Sequence, residues 1–479
     1  MMRKKVWLLI VAVALMVMVL GILYACESYD VDPIKKVGDK NAVVESNGGL
    51  VVKQGGYLYF VNGYSGYLTG KAEDNYYGHV TKGAIVRVTY NEDGTLGNDY
   101  TVVVPKSVMS SSSDFGFSIF GNYIYYVSPS TDEDRSGNVK TNILQFLRTK
   151  LDGTGTQLIL NWNDNSVSYK YTSQALVYYD KSNSKIYTKT FKGKKDGFDP
   201  EKKGNVIASD VSSVYFLKNE TFDPKNSTLV LSDYILYTKN ATEDYEYGNT
   251  LYICDPNGNN TKVLLDSSKF ESGSYSVSVI AAKAEGSKLA LYYTKTSYGA
   301  SSSGTSLGTF LYRFEDMNFA FDPNKEVRLS TEELSALVPL GYDEGAVKTG
   351  SRAVIYHVDG TFDLFDDLSL DTLICVENNN FYFLNSSYIL LYYPLDGEAQ
   401  NANVHYAYTT EEKFMSGFIS AEYFDGYIYF ILDDNYDYMA RIKVADIDVY
   451  SGKDAVVERV AKMTSSDQKK FDAEQADED

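Results

Sequence analysis

Residues 121–129 (GNYIYYVSP) and 143–160 (ILQFLRTKLDGTGTQLIL) decide the fold of this chain. In both stretches apolar and polar residues alternate with a period of two, which predicts β-strands that have two different faces. Asp152-Gly153 divides the second stretch and supplies the positive φ that a tight hairpin needs. Together the stretches predict an antiparallel meander of three strands, joined by one polar loop and one tight turn.

This meander recurs along the chain. Eight copies are recognised by the strand that opens each of them, which starts at Tyr57, Tyr123, Ala175, Tyr234, Leu289, Ala353, Phe381 and Tyr427. A further strand is predicted before the copies, at residues 49–54, 115–121, 166–172, 228–232, 276–283, 345–350, 372–377 and 418–424. Four strands per copy are typical of the blade of a β-propeller, in which stacked meanders bury the faces that a lone meander exposes.

The predicted fold class is therefore all-β, a β-propeller of about eight four-stranded antiparallel blades after an N-terminal signal and lipid-anchor segment. Copies six and seven start unusually close together, at Ala353 and Phe381, which leaves seven blades as the alternative. The 43 tyrosines and 23 phenylalanines suit pleated, half-buried surfaces. The acidic stretches NEDGT (91–95), LDGTG (151–155) and DPNGNN (255–260) are predicted to be hairpin turns.

The repeats are similar to those of a known group of proteins. Residues 121–160, and the stretches SDYILYTKN (232–240) and NTLYICDPNGNNTKVLL (249–265), resemble the repeats of bacterial propeller domains of unknown function. Those domains are related to low-density-lipoprotein-receptor-type propellers. The resemblance covers roughly residues 48–462. It implies the propeller fold, and it implies no catalytic residue.

The N-terminus has the pattern of an export signal. Three basic residues at 3–5 precede an unbroken apolar run at 6–20. Residues 23–26 (LYAC) resemble the lipobox of bacterial lipoproteins, although Tyr24 departs from the usual small or aliphatic residue. The resemblance implies that Cys26 is lipidated and becomes the mature N-terminus. An uncleaved membrane helix is the alternative, since residues 6–25 are long enough to span a bilayer.

These patterns divide the chain into four parts. Residues 1–25 are predicted to be a lipoprotein signal peptide and residues 26–47 the lipidated cysteine with a flexible spacer. Residues 48–462 are the propeller, and residues 463–479 are an acidic disordered tail. The predicted location is the extracytoplasmic face of the cell membrane, which holds the chain through its lipid.

Charge and composition exclude several functions. The formal net charge is −19, so the general field of the chain does not favour nucleic acid. Cysteines 254 and 375 lie in separate apolar strands and are predicted to be two buried thiols rather than a disulfide. The three histidines have no partner at metal-ligand spacing. No cofactor is predicted, although the acidic loops 130–138 and 432–438 leave calcium as an alternative.

The candidate binding site lies on the loops between the second and third strands of each copy, which share one face of a propeller. These loops are long in copies one, two, four, five and eight, and those of copies eight, one and two are expected to pool after ring closure. Tyrosine beside Asn, Asp and Gly is typical of recognition surfaces. The candidate ligand-binding residues are Tyr64, Tyr67, Tyr76, Tyr77, His79, Asp132, Asp134, Arg135, Tyr245, Tyr247, Tyr298, Asp433, Asp434 and Tyr436.

The sequence thus predicts a monomeric, membrane-anchored binding platform for a protein, a peptide or a glycan. Mobile solvated loops with incidental tyrosines are the alternative interpretation of the same residues. Two other functions stay open: an enzyme acting on extracellular polysaccharide, as a glycoside hydrolase or a lyase, and a scaffold for envelope assembly. An enzyme would need one tight acidic pair, and no motif selects one among 64 acidic residues.

Overall fold

The computed structural model describes sixteen segments of the chain, namely residues 33–63, 83–106, 116–130, 143–163, 167–195, 197–218, 220–226, 228–241, 247–266, 274–298, 303–387, 389–395, 405–406, 421–431, 439–447 and 456–461. These segments form eight antiparallel sheets arranged as an eight-bladed β-propeller. The predicted all-β fold is confirmed, and eight blades rather than seven are present.

The first part of the chain forms four blades and two additional strands. Their strands are β1 (Val44–Glu45), β2 (Val51–Gln54), β3 (Tyr57–Asn62), β4 (Ala84–Tyr90), β5 (Leu96–Val104), β6 (Ser118–Phe120), β7 (Tyr123–Pro129), β8 (Leu144–Lys150), β9 (Gln157–Trp162), β10 (Ser168–Tyr171), β11 (Ala175–Asp180), β12 (Lys185–Thr190), β13 (Asn205–Ser209), β14 (Val211–Phe216), β15 (Thr221–Phe222), β16 (Ile235–Asn240), β17 (Asn249–Cys254) and β18 (Lys262–Leu265). Blade one contains β2–β5, blade two β6–β9, blade three β10–β13, and blade four β14 with β16–β18.

The last four blades each take four consecutive strands. Their strands are β19 (Ser274–Glu285), β20 (Lys288–Tyr298), β21 (Gly304–Phe314), β22 (Val327–Ser330), β23 (Leu337–Gly341), β24 (Gly345–Lys348), β25 (Ala353–Tyr356), β26 (Phe362–Phe365), β27 (Thr372–Glu377), β28 (Asn380–Leu384), β29 (Leu390–Pro394), β30 (His405–Tyr406), β31 (Ala421–Phe424), β32 (Tyr427–Phe430), β33 (Ala440–Lys443) and β34 (Val457–Arg459). Short 3-10 helices in the described residues span Lys181–Asn183, Leu231–Asp233, Pro323–Lys325 and Val444–Asp446.

A four-stranded meander gives the propeller two different faces. The connections between second and third strands lie on one face, together with the links between blades; we call this the loop face. The turns between first and second strands, and between third and fourth strands, lie on the opposite face, which we call the turn face. The two faces carry different chemistry because their connections differ in length and charge.

The predicted hairpin turns are confirmed, and three turns of the propeller share one geometry. In the turns Asp93-Gly94-Thr95 and Asp152-Gly153-Thr154, the aspartate Oδ1 accepts hydrogen bonds from both the N–H and the hydroxyl of the threonine, at 2.6–3.0 Å. The turn at residues 359–361 repeats these contacts. The glycines adopt φ of 78°, 80° and 88°, which is why Gly occupies this position.

Hydrophobic clusters between neighbouring blades order the sheets into a ring. From blade two to blade eight, one such cluster joins each blade to the next. Another cluster joins Met439 of blade eight, Leu58 of blade one and Ile124 of blade two. The apolar faces that each meander predicts are therefore buried against the adjacent blades, as the repeat requires.

The predicted first strand of blade four is wrong. Residues 228–232 do not form it; β14 does, and Leu231–Asp233 is a 3-10 helix in which the Asp233 carboxylate accepts a 3.0 Å bond from the Val230 N–H. Two exposed serines at 212–213 interrupt the apolar pattern of β14, so sequence periodicity missed it.

The prediction for the copy that starts at Ala353 is wrong by one strand. The strand that begins there was predicted to be the second of its blade, but it is the third. In blade six, residues 345–348 form the second strand and Ala353 opens the third, while the first strand, Leu337–Gly341, has no counterpart in the prediction. The second strands of blades six and seven start at Gly345 and Asn380, which leaves room for a complete blade. The short interval between Ala353 and Phe381 came from this register error, because Pro339 and Gly341 weaken the strand pattern.

We define residues 44–50, 217–218, 220–226 and 228–234 as the central plug, which lies on the inner side of the ring. The sheet of blade one continues beyond β2 through β1 and then β15, which comes from the connection between β14 and β16 of blade four. Because β1 pairs with the edge of β2 opposite β3, both added strands lie on the inner side of blade one.

Contacts of the plug confirm its central position. The Phe222 ring packs edge-on against Phe120 in the first strand of blade two, with centroids 5.1 Å apart. The Glu220 carboxylate pairs with Lys283 in the first strand of blade five at 3.1 Å. Lys170, in the first strand of blade three, donates from Nζ to plug carbonyls. One segment thus ties together blades that are far apart around the ring.

Blade eight meets blade one without sharing a strand among the described residues. The Glu422 carboxylate accepts a 3.3 Å hydrogen bond from the Val51 N–H of blade one, besides bonds from the Ser46 hydroxyl and, at 2.5 Å, the Leu50 N–H of the plug. The Asp425 carboxylate accepts a 2.6 Å bond from the Tyr90 hydroxyl. Side-chain contacts, rather than a mixed sheet, therefore close this part of the ring.

Candidate functional site

Blade five is taller than the other blades. Strands β19, β20 and β21 have 12, 11 and 11 residues, whereas the second and third strands of the other blades have four to seven. The added pairs run to Ser274, Tyr298 and Gly304 at the loop face. At about 3.3 Å per residue, four or five extra residues project by roughly 15 Å. We call residues 274–278, 294–298 and 304–308 the blade-five wall.

Hydroxyl groups dominate the wall. Ten of its fifteen residues are Ser, Thr or Tyr. Its outer strand is open on one side, because β22 pairs with β21 only from Thr309 inward, where Thr309 lies opposite Ser330. Gly304, Thr305 and Ser306 are exposed there. The wall therefore presents hydroxyls together with the edge of a β-strand.

A pair of tyrosines crosses the boundary between blades four and five. The rings of Tyr247 and Tyr298 lie 5.9 Å apart between centroids, at an interplanar angle of 36°. The Tyr298 hydroxyl lies 3.2 Å from the Ser276 Oγ, which orients its ring on the wall. Tyr247 is 39% exposed. Such a pair offers aromatic surface and hydroxyls with little conformational freedom to lose on binding.

Asn249 holds the two blades in register beneath this pair. Its Nδ2 donates to the Val277 carbonyl at 2.9 Å, and its Oδ1 accepts from the Val277 N–H at 2.8 Å. The side-chain amide thus imitates a strand and pairs with β19. Because Asn249 begins β17, two residues after Tyr247, this clamp fixes the position from which Tyr247 reaches Tyr298.

A buried ion pair supports the base of the wall. Lys295 Nζ lies 2.5 Å from Glu326 Oε2, and their side chains are only 8% and 11% exposed. Lys295 also lies over the Phe310 ring, 4.2 Å from its centroid. Tyr293 donates its hydroxyl to the same carboxylate. Burial, followed by the charge of Glu326, raises the pKa of Tyr293 well above its ordinary value, so it remains a donor.

Two of the predicted ligand-binding residues, Tyr247 and Tyr298, fall in the described part of the chain, and the structure brings them into contact. The others lie outside the described residues, as does Cys26, the predicted lipidation site. They are Tyr64, Tyr67, Tyr76, Tyr77, His79, Asp132, Asp134, Arg135, Tyr245, Asp433, Asp434 and Tyr436. The predicted pooling of loops from blades eight, one and two concerns these residues and stays a prediction.

Two parts of this site were not predicted. Tyr298 was predicted to be a loop residue, yet it ends β20 and belongs to a regular sheet. Asn249 was not predicted, because a lone asparagine before a strand looks like an ordinary loop residue. The abundance of hydroxyl residues at 294–306 could have indicated the projecting sheet.

The two internal cysteines are free, as predicted. Cys254 is buried in blade four and Cys375 is half-buried in blade seven. Burial raises the pKa of each thiol to about 12. Over the described residues, no group of three or more His, Cys, Asp or Glu side chains could hold a metal ion. No helix in that part of the chain is long and apolar enough to cross a membrane.

Comparisons with known proteins identify no family for this chain. No protein-family model and no curated protein matches the chain. Among solved structures, AztD from Citrobacter koseri is similar at 9% identity and TM-score 0.37, over 79% of this chain and 92% of AztD. A eukaryotic initiation factor is similar at 11% identity and TM-score 0.38, over 91% of this chain and 92% of that protein. Sqt1 from Chaetomium thermophilum, bound to the N-terminus of ribosomal protein L10, is similar at 10% identity and TM-score 0.34, over 85% of this chain and 98% of Sqt1.

Proposed function

We propose that this chain is an extracytoplasmic lipoprotein whose propeller binds a protein or peptide at its loop face. The observation that carries the binding proposal is the Tyr247–Tyr298 pair, held by Asn249 beside the open edge of the blade-five wall. Aromatic rings whose positions are fixed before binding contribute contact area at low entropic cost.

An extended peptide suits the wall better than a compact ligand does. Residues 304–308 of β21 extend beyond the end of its pairing with β22, and exposed Thr305 and Ser306 carry no charge that would repel another strand. A peptide that pairs with such an edge gains backbone hydrogen bonds, while pockets beside the strand select its side chains. The tyrosine pair supplies an aromatic surface at the end of this edge.

The membrane anchor is supported by the sequence of residues 1–26. The basic, apolar and lipobox-like segments occur in the order that export and lipidation require. In this proposal Cys26 carries the lipid and the propeller lies outside the cytoplasm. The relation to low-density-lipoprotein-receptor-type propellers stays a resemblance of the repeats.

The test places a photoreactive amino acid at position 305 of the wall in intact cells. We expect one discrete cross-linked protein, which is lost when Tyr247→Ala and Tyr298→Ala are added. Position 364 is the matched control, because Leu364 is 47% exposed on the outer strand of blade six. Equal cross-linking from both positions would contradict a specific site.

A parallel measurement separates the other ligand classes. Thermal unfolding of the purified protein is followed with calcium, cell-wall fragments, oligosaccharides and peptides. If one sugar alone raises the unfolding temperature of the wild type, and not that of the double tyrosine variant, that result would replace the peptide proposal by glycan recognition. That sugar would then be tested for hydrolysis or elimination, which are the reactions expected of the enzyme alternative.

A further inference from the structure

Lysines gather on the turn face at blades one to three, although the whole chain is strongly acidic. Residues 33–40 contain three lysines and one acidic residue, and residues 192–203 contain five lysines and three acidic residues. Seven of these lysines are exposed and are not in an ion pair that the described structure shows. They are Lys35, Lys36, Lys40, Lys192, Lys194, Lys195 and Lys202. We call them the basic patch.

The two segments meet at the end of β8 in blade two. The Ile34 N–H donates to the Asp152 carbonyl at 3.0 Å, which places the start of the described chain at the turn after β8. Arg148, on β8 itself, donates to the Lys194 carbonyl at 2.9 Å. Gln157, at the start of β9, donates to the Lys195 carbonyl at 3.0 Å. Both lysine segments therefore lie on one surface.

Two acidic residues beside the basic patch accept hydrogen bonds within the protein. Asp39 accepts a 2.9 Å bond from the Asn41 N–H, and Glu201 accepts a 2.8 Å bond from the Asn161 side chain. Lys203, the remaining lysine of the second segment, pairs with Asp180 at 2.8 Å. Over residues 33–40 and 192–203, eight lysines against four acidic residues give a formal charge of +4, in contrast to the net charge of −19 on the chain.

We propose that the basic patch binds the anionic phospholipid headgroups of the membrane that holds the lipid anchor. The inference rests on the proposed lipidation of Cys26. Only residues 27–32 separate Cys26 from Pro33, which is where the described chain begins. At most about 3.5 Å per residue, this spacer reaches roughly 25 Å. The spacer therefore keeps the turn face at blades one to three within reach of the bilayer.

Electrostatics favours this arrangement over a freely swinging domain. Lysines attract an anionic surface only within about a Debye length, which is roughly 8 Å at physiological salt. The short tether lets the patch come within that range of the bilayer, while acidic surfaces elsewhere are repelled. The bound orientation directs the turn face to the membrane, so the Tyr247–Tyr298 pair on the opposite face points outward to its partner.

The experiment measures lysine acetylation on the lipidated full chain. The protein is reconstituted in vesicles of phosphatidylcholine alone, or of phosphatidylcholine mixed with phosphatidylglycerol, and each acetylated lysine is quantified by mass spectrometry. We expect Lys192, Lys194 and Lys195 to react at least threefold more slowly on anionic vesicles, with recovery at high salt. Exposed Lys181 is the internal control, since it lies between β11 and β12 on the loop face of the same blade.

A charge-reversal variant tests the same surface independently. In the Lys192→Glu, Lys194→Glu, Lys195→Glu chain we expect the remaining lysines at 35, 36 and 40 to lose their protection on anionic vesicles. Lys181→Glu is the matched control, and the lysines at 35, 36 and 40 should keep their protection in that variant. All four substitutions are at exposed side chains, so unchanged thermal unfolding is expected.

Each outcome separates the two proposals. If the chain floats with neutral vesicles and Cys26 carries a diacylglyceryl mass, the lipid anchor is supported. Equal acetylation on both vesicle types would then overturn only the proposal that the basic patch binds anionic headgroups. A chain that does not float, and lacks the lipid mass, overturns the anchor. Stronger protection by soluble polyphosphate than by anionic vesicles would make the partner a polymer and the membrane assignment wrong.

Discussion

Tyr247 and Tyr298 contact each other across two blades, with ring centroids 5.9 Å apart, although they are distant in the sequence. The contact exists because both tyrosines flank connections between second and third strands, and neighbouring blades bring these connections together on one face. Asn249 adds a fixed hydrogen-bonded link below them. The site is therefore a property of the ring and not of either loop.

We expect Asn249→Ala to loosen the wall locally. The substitution removes a donor and an acceptor from the Val277 backbone, a loss of about 1–3 kcal/mol. Hydrogen exchange at the Val277 amide should become about 5- to 150-fold faster. Tyr298→Phe, which removes only the 3.2 Å contact with Ser276, is the control and should leave that amide slow. Unchanged exchange in the alanine variant would show that Asn249 does not clamp the blades.

Arg441 is expected to be essential for ring closure between blades eight and one. Its guanidinium is 1% exposed, binds Glu458 through two nitrogens at 2.8 and 2.9 Å, and donates to the Gly94 carbonyl of blade one at 2.9 Å. It also lies 3.9 Å from the Tyr427 ring centroid. Arg441→Ala should lower the free energy of unfolding by about 3–5 kcal/mol, measured by urea unfolding.

Two further variants test whether the loss of stability is specific to the guanidinium group of Arg441. Arg441→Lys keeps the charge but not the planar fork, so it should recover only part of the loss. Arg352→Ala is the matched control, because Arg352 is 66% exposed and lies 3.8 Å from Asp366; it should change stability by less than about 0.5 kcal/mol. Similar losses for Arg441→Ala and Arg352→Ala would refute a specific role in closure.

The repeat itself was predictable, because every blade follows its local pattern except in the first strands of blades four and six. The alternation of Tyr123 to Pro129 and the Asp152-Gly153 turn determine strands and hairpin without help from distant residues. The central plug was not predictable. Residues 221–222 form a strand only because β1 lies beside them, and that pairing joins segments from blades one and four that are far apart in the sequence. Periodicity in one short segment carries no information about such a contact.

The candidate site shows the same division between local and distant information. The sequence indicates Tyr247 and Tyr298 individually, since each lies among Asn, Gly and Ser residues that are typical of recognition loops. It does not indicate that they meet, because contact depends on the stacking of blade four on blade five. Nor does it indicate the basic patch, because Lys35 and Lys194 come together only at the end of β8.

Glu422 is expected to make stability depend on pH. Burial raises the pKa of its carboxyl from the ordinary 4.5 to about 7, partly offset by bonds from Ser46 and Leu50. Between these pH values the folded protein binds more protons than the unfolded chain, so this group lowers the free energy of unfolding as the pH rises. We expect urea midpoints at pH 5 and pH 7.5 to differ less in Glu422→Gln than in the wild type. Glu92→Gln, at an exposed turn, should keep the wild-type difference between the two midpoints. If this difference is equal in all three proteins, Glu422 does not have this role.

Thiol counting tests both the buried cysteines and the lipid anchor in one measurement. In the native protein we expect no reaction with N-ethylmaleimide at pH 7.5, because a pKa of about 12 leaves Cys254 and Cys375 almost entirely as unreactive thiols. In concentrated urea both become accessible, so a chain with acylated Cys26 should take up two labels. Three labels would show that Cys26 is free and would contradict lipidation. Rapid labelling of the folded chain at Cys254 would instead contradict the packing between blades three and four, in which that side chain is buried.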